Sequence, residues 1–95
     1  MTDDDGWIVK DLPIINERGL HARAAARFVK TAGRFTAEIT VSKDDQTVPG
    51  RSIMGLLLLV AGQGSAIRVA ARGADAPGAL SALEALVATR FDESK

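Results

Sequence analysis

Between positions 22 and 41 the apolar residues change their repeat. Ala22, Ala25, Phe28, Val29 and Ala32 recur at helical spacing, with Arg23, Arg27 and Lys30 outside that stripe. Phe35, Ala37, Ile39 and Val41 then alternate with Thr36, Glu38 and Thr40, the period of a strand with one buried face. A one-sided helix followed at once by a one-sided strand calls for helices packed on a sheet.

The rest of the chain extends this pattern. Ile8 to Ile14 reads as a strand, with Pro13 suited to an edge or a strand end. Asn16-Glu17-Arg18-Gly19 is turn chemistry, and Gly33 is expected to close the first helix as a left-handed cap. Lys43-Asp44-Asp45-Gln46 reads as a hairpin turn, with Thr47-Val48 beginning a return strand. Ser52 is placed to cap a short helix from Ile53 to about Val60, ended by Gly62 and Gly64. Ala66 to Ala71 reads as a further strand. Gly73-Ala74-Asp75 then caps a last helix buried along Leu80, Leu83, Leu86 and Val87.

The predicted order is β-α-β-β-α-β-α, an α+β fold with three helices on one face of a four-stranded, mainly antiparallel sheet. One domain is expected over residues 1–95, with an acidic tail at 1–6 and a frayed tail from Phe91 to Lys95.

Composition removes several function classes. With no cysteine, disulfide scaffolds, thiolate zinc sites and cysteine nucleophiles are excluded. One histidine excludes a multi-histidine metal site. Twelve basic and twelve acidic residues cancel, so no global charge draws the chain to nucleic acid or an anionic membrane. Met1-Thr2-Asp3-Asp4-Asp5 lacks the basic start of a secretory signal. The longest apolar stretch, Ile53 to Gly62, is far short of the roughly 20 residues of a membrane helix. A cytoplasmic protein without membrane insertion is the expectation.

The most informative segment is Gly19-Leu20-His21-Ala22-Arg23. Gly19 permits a tight turn, and His21 falls at or beside the helix N-cap. The first N–H groups of a helix lack internal partners, and the aligned peptide dipoles add roughly half a positive charge there. Arg23 can bring a guanidinium fork to the same point. That field disfavours a protonated ring and keeps a nitrogen lone pair available as a nucleophile. A phosphoryl group taken by the ring would meet Arg23 and the free amides, including that of Ala22, with no metal or cofactor. The plainer alternative is a surface or capping histidine.

Ser52-Ile53-Met54-Gly55-Leu56-Leu57-Leu58-Leu59-Val60 is apolar nearly all round. Either this helix is central to the core, or part of Ile53, Met54, Leu57 and Leu58 faces solvent as a contact patch. Ser52 is either a simple cap or a modifiable hydroxyl beside that patch.

These segments resemble HPr, the histidine-containing phosphocarrier family of the bacterial phosphoenolpyruvate:sugar phosphotransferase system. Gly19-Leu20-His21-Ala22-Arg23 looks like the family's active-site motif, and Arg51-Ser52-Ile53-Met54-Gly55 like its regulatory-serine motif. Gly73-Ala74-Asp75, with the helix after it, looks like the family's last helix.

The resemblance implies an open-faced β-sandwich. It implies that His21 takes phosphate on Nδ1 from phosphorylated Enzyme I and passes it to an EIIA-type acceptor, with Arg23 holding the phosphate. It also implies that Ala26, Lys30, Ile53, Met54 and Leu57 form a shared docking surface. Ser52 would be the target of an HPr kinase/phosphorylase. Such a chain is a monomeric phosphoryl-transfer component, not a turnover enzyme.

Two positions depart from the family. Ala24 stands where proline is common, which leaves the helix intact but its first turn less fixed. Arg18 stands where a small polar residue is common, and it adds positive charge near the phosphate. A nitrogen-branch carrier without a permease is the alternative within the family. Outside it, a binding module for a small ligand or RNA competes, with Arg18, Arg23, Arg27, Lys30, Arg34 and Arg51 as a basic face. The neutral charge and 4% aromatic content argue against RNA.

Overall fold

The computed structural model describes residues 6–95; the acidic tail expected at 1–6 lies outside the described residues except for Gly6. The strands are β1 (Ile8–Pro13), β2 (Glu38–Lys43), β3 (Gln46–Pro49) and β4 (Ala66–Arg72). The helices are α1 (Ala22–Ala32), α2 (Ile53–Leu58) and α3 (Ala76–Ala88), followed by a short turn at Arg90–Asp92. The sheet runs β1-β4-β2-β3 with every neighbouring pair antiparallel. It forms an open-faced α+β sandwich.

Alternation along the strands separates the two faces of the sheet. Leu12, Ile39, Val41, Ile67, Val69 and Ala71 are buried, and they meet Ala25, Phe28 and Ala32 of α1, Leu56 of α2, and Ala79, Leu83 and Val87 of α3 in one core. The outward positions are joined by charge pairs in strand register. Asp11 faces Arg68 at 2.8 Å, and Glu38 faces Arg72 at 2.7 Å. The Arg72 guanidinium also lies 4.7 Å from the Trp7 ring centre. Pro13 ends β1 on a sheet edge, where a missing N–H costs no ladder bond.

Four local expectations are corrected. Gly33 is right-handed (φ −67°, ψ −12°), not a left-handed cap. The chain leaves α1 through successive tight turns, with Arg34 N–H bonded to Thr31 and Phe35 N–H to Ala32. β2 begins at Glu38 instead of Phe35. The amides of Thr36 and Ala37 donate to the Asp75 carboxylate, and the carbonyls of Ala32, Phe35 and Ala37 accept from Arg51, so this stretch is held outside the ladder.

α2 stops at Leu58, well before Gly62. Val60 turns to φ 50°, and Ala61 presents its carbonyl to Leu20 N–H at 2.8 Å. The largest correction concerns the end of the chain. Phe91, expected to open a frayed tail, is fully buried, and the residues after it fold back onto the entrance of α1.

Candidate functional site

The site begins with a turn that only glycine can make. Gly19 has φ +68°, and a Cβ there would lie 2.5 Å from the Ala61 carbonyl oxygen and 2.8 Å from Gly62 Cα. Its N–H donates to Asn16 and the next amide donates to Ala61, so the loop from β1 is pinned against the loop after α2. The chain therefore enters α1 with His21 as N-cap in extended conformation.

His21 is turned toward the helix. Its Nδ1 accepts the Arg23 N–H at 3.2 Å. The first intrahelical bond runs from Ala25 N–H to the His21 carbonyl, so the amides of Ala22, Arg23 and Ala24 precede the ladder. The other ring nitrogen, Nε2, meets the Glu93 carboxylate. A nitrogen that accepts from an amide carries the lone pair, and one that faces a carboxylate carries the hydrogen. The ring is thus the Nε2–H tautomer, with its free pair on Nδ1 at the helix entrance. The side chain keeps 22% exposure.

Cations gather around this point. An open cleft of about 620 Å³ beside the entrance is lined by Arg18, Arg23, Arg27 and Glu93, among others. Arg27 is tied to the Phe91 carbonyl. Among the described residues, the guanidinium of Arg23 makes no hydrogen bond or ion pair. Ala24, at the proline position, lies inside an intact helix and is fully buried.

Glu93 and Asn16 were not singled out from sequence. Asn16 is fully buried, and its Nδ2 donates both to the Gly19 carbonyl and to Glu93 Oε1, each at 2.8 Å. It thus couples the turn before the histidine to the acid behind it. Burial alone would raise the Glu93 carboxyl. Hydrogen bonds from Asn16 and His21, with the charge of Arg18, outweigh that and hold it below the usual carboxylate range. A large aromatic in an otherwise polar end segment was the one signal that could have found this anchor.

The second region lies beside the first, because α2 packs against α1. Ser52 Oγ caps α2, accepting Gly55 N–H at 2.9 Å. Gly55 suits that place because a Cβ would sit 2.9 Å from Val48 Cβ and 3.1 Å from Ser52 Oγ. Of the expected apolar patch, Met54 is 72% exposed and Ile53 40%. Leu57 is partly buried against the core, Leu58 faces solvent with the rest of the patch, and Val60 is exposed beyond it. Ala26 and Lys30 are exposed on α1. Among the described residues, no cluster of three or more potential ligands could hold a metal ion, and no helix is long and apolar enough to cross a membrane.

Comparison with known proteins identifies the family that shares this sequence and fold. A family model described as "PTS HPr component phosphorylation site" matches residues 8–89. The chain is 42% identical over 86 residues to phosphocarrier protein HPr of Cupriavidus necator, covering 90% of this chain and 97% of that protein. It is 41% identical to phosphocarrier protein NPr of Shewanella violacea, covering 90% and 93%. The crystal structure of HPr-C-His from Thermoanaerobacter tengcongensis superposes with a TM-score of 0.88 at 40% identity, covering 93% of this chain and 99% of that one. The chain belongs to the HPr phosphocarrier family of the phosphotransferase system.

Proposed function

We propose that this protein is a cytoplasmic phosphocarrier. His21 Nδ1 accepts a phosphoryl group from phosphorylated Enzyme I and gives it to a histidine of an EIIA-type acceptor. The observation that carries the reading is the direction of the ring: the Nδ1 lone pair faces the Arg23 amide at the entrance of α1. When Nδ1 attacks phosphorus, the donor's P–N bond breaks and a P–Nδ1 bond forms. The amides of Ala22 and Arg23 are then placed to donate to phosphate oxygens, because the lone pair no longer occupies them. Arg23, with no competing partner, closes on the dianion, and Arg18 adds positive charge from the turn. Delivery reverses these steps.

Docking falls to the face formed by Ala26 and Lys30 of α1 with Ile53, Met54 and Leu57 of α2. Its exposed apolar side chains and the neighbouring cations suit an apolar, acid-rimmed partner surface. Ser52, at the edge of that face, is the proposed regulatory site for an HPr kinase/phosphorylase.

A nitrogen-branch carrier is the second reading, favoured by the 41% identity to a relative named NPr. Transfer to an acceptor that serves no permease, with none to a sugar-permease acceptor, separates the two.

The test is phosphorylation with Enzyme I and phosphoenolpyruvate. One acid-labile, base-stable phosphate is expected on the wild type and none on H21A. Retention of that phosphate by H21A would overturn the assignment.

A further inference from the structure

The end of the chain takes a strained path to reach the histidine. Arg90, Phe91 and Asp92 all have positive φ, at 59°, 54° and 62°. Left-handed geometry is unfavourable for L-residues, and three in succession persist only where contacts outweigh that cost. The contacts are specific. Phe91 is fully buried, its carbonyl accepts from Arg27, and Glu17 N–H bonds the Lys95 carbonyl at 3.1 Å. Their combined result is to set Glu93 between Asn16 Nδ2 and His21 Nε2. The segment lies beyond residue 89, where the family match ends.

We propose that Glu93 is a positioning residue for phosphoryl transfer at His21. The proposal rests on His21 being the phosphoryl acceptor. Two effects follow from the geometry. Before transfer, the carboxylate and the Arg23 amide hold opposite edges of the ring, so Nδ1 keeps its aim along the helix entrance. During transfer, the ring has no proton to lose, because the hydrogen resides on Nε2. Forming the P–Nδ1 bond therefore leaves the imidazole ring with a formal positive charge as the donor's P–N bond breaks. The Glu93 carboxylate balances that charge while Nε2 keeps its hydrogen. On delivery the P–Nδ1 electron pair returns to Nδ1, and Nε2–H and Glu93 are left as they began. Asn16 holds the second carboxylate oxygen, so the acid cannot swing toward Arg18 or Arg23.

The experiment compares wild type, E93A and E93Q by two readouts. The first is the ¹⁵N and ¹H spectrum of the ring. The second is the rate of phosphate uptake from phosphoramidate, a small P–N donor that needs no docking, and from phospho-Enzyme I. In the wild type, Nε2 carries a hydrogen protected from exchange. E93A loses that protection and is phosphorylated about tenfold more slowly from both donors. E93Q keeps the protection, because its amide oxygen still accepts, yet it remains slower than wild type because the charge is gone. Amide spectra check that all three share one fold. Equal ring spectra and equal rates for wild type and E93A would overturn this proposal alone. A wild type that takes no phosphate on His21 would overturn it together with the phosphocarrier reading.

Discussion

The entrances of α1 and α2 are built alike and equipped differently. Each begins with a residue in extended conformation whose side chain accepts a first-turn amide, His21 from Arg23 and Ser52 from Gly55. Each has an arginine close by. At α1 the guanidinium of Arg23 makes no bond among the described residues and faces an open cleft. At α2 the guanidinium of Arg51 is committed to the carbonyls of Ala32, Phe35 and Ala37, sealing the gap between α1 and β2. An uncommitted cation can close on an incoming dianion, whereas a committed one can do so only by opening the fold. The difference supports the proposed division, in which the first entrance carries phosphate and the second is altered by it.

Replacing the two arginines in turn should break the comparison most sharply. R51A removes a charged donor from three carbonyls and is expected to cost about 2 kcal/mol of stability. R23A touches none of the fold's described bonds and should change stability by less than about 0.5 kcal/mol. Phosphate uptake should respond in the opposite sense. R23A should slow it about tenfold, equivalent to roughly 1.4 kcal/mol in the barrier, and R51A should leave the folded fraction at the wild-type rate. Urea unfolding and timed phosphorylation measure the two axes. If R23A proved as destabilising as R51A, the distinction between a free and a committed arginine would fail.

A milder pair of variants sharpens the α2 side. S52A removes the cap at Gly55 and is expected to cost about 1 kcal/mol in urea unfolding, with phosphate uptake unchanged. S52D keeps a good N-cap, so its stability should stay near wild type. Its added charge lies beside exposed Ile53 and Met54, so binding to Enzyme I or the acceptor should weaken severalfold in calorimetry. Equal affinity of S52D and wild type would remove Ser52 as a switch.

The histidine entrance could be read from five residues because its physics is local: a glycine that must turn, a ring at the helix N-cap and an arginine two residues on. The strand and helix order was legible for the same reason, since period is a local property. What stayed hidden depends on long-range meetings. Glu93 is 72 residues from His21 along the chain, and nothing in the spacing of a polar terminal segment says that it returns. The late start of β2 has the same origin, because Arg51 and Asp75 claim backbone groups that alternation had assigned to the ladder. Which of Leu57 and Leu58 faces water also stayed open in the sequence, because it depends on how α2 sits against the core.

A third entrance, that of α3, extends the contrast. Asp75 is its N-cap but makes no side-chain bond to the helix. Its carboxylate accepts the amides of Thr36 and Ala37 at 2.8 Å each. The Thr36 amide is the main cause holding its carboxyl below the ordinary value. Burial pushes the other way, and the Ala37 amide and Thr36 hydroxyl add to the lowering. Because folding lowers this pKa, acid protonates the unfolded chain first. The contribution is complete above the ordinary carboxyl value of about 4. It declines as pH falls toward the lowered folded value. D75N keeps one oxygen to accept an amide, so its effect near neutral pH should be smaller than that of S52A. In unfolding curves between about pH 6 and pH 3, D75N should lose less stability than wild type on acidification. E93Q should flatten the slope in the same direction, since Glu93 is also held low. If D75N followed the wild-type slope, the Asp75 carboxylate would have no charged role in joining α3 to β2, and capping by a neutral acceptor would suffice at that entrance.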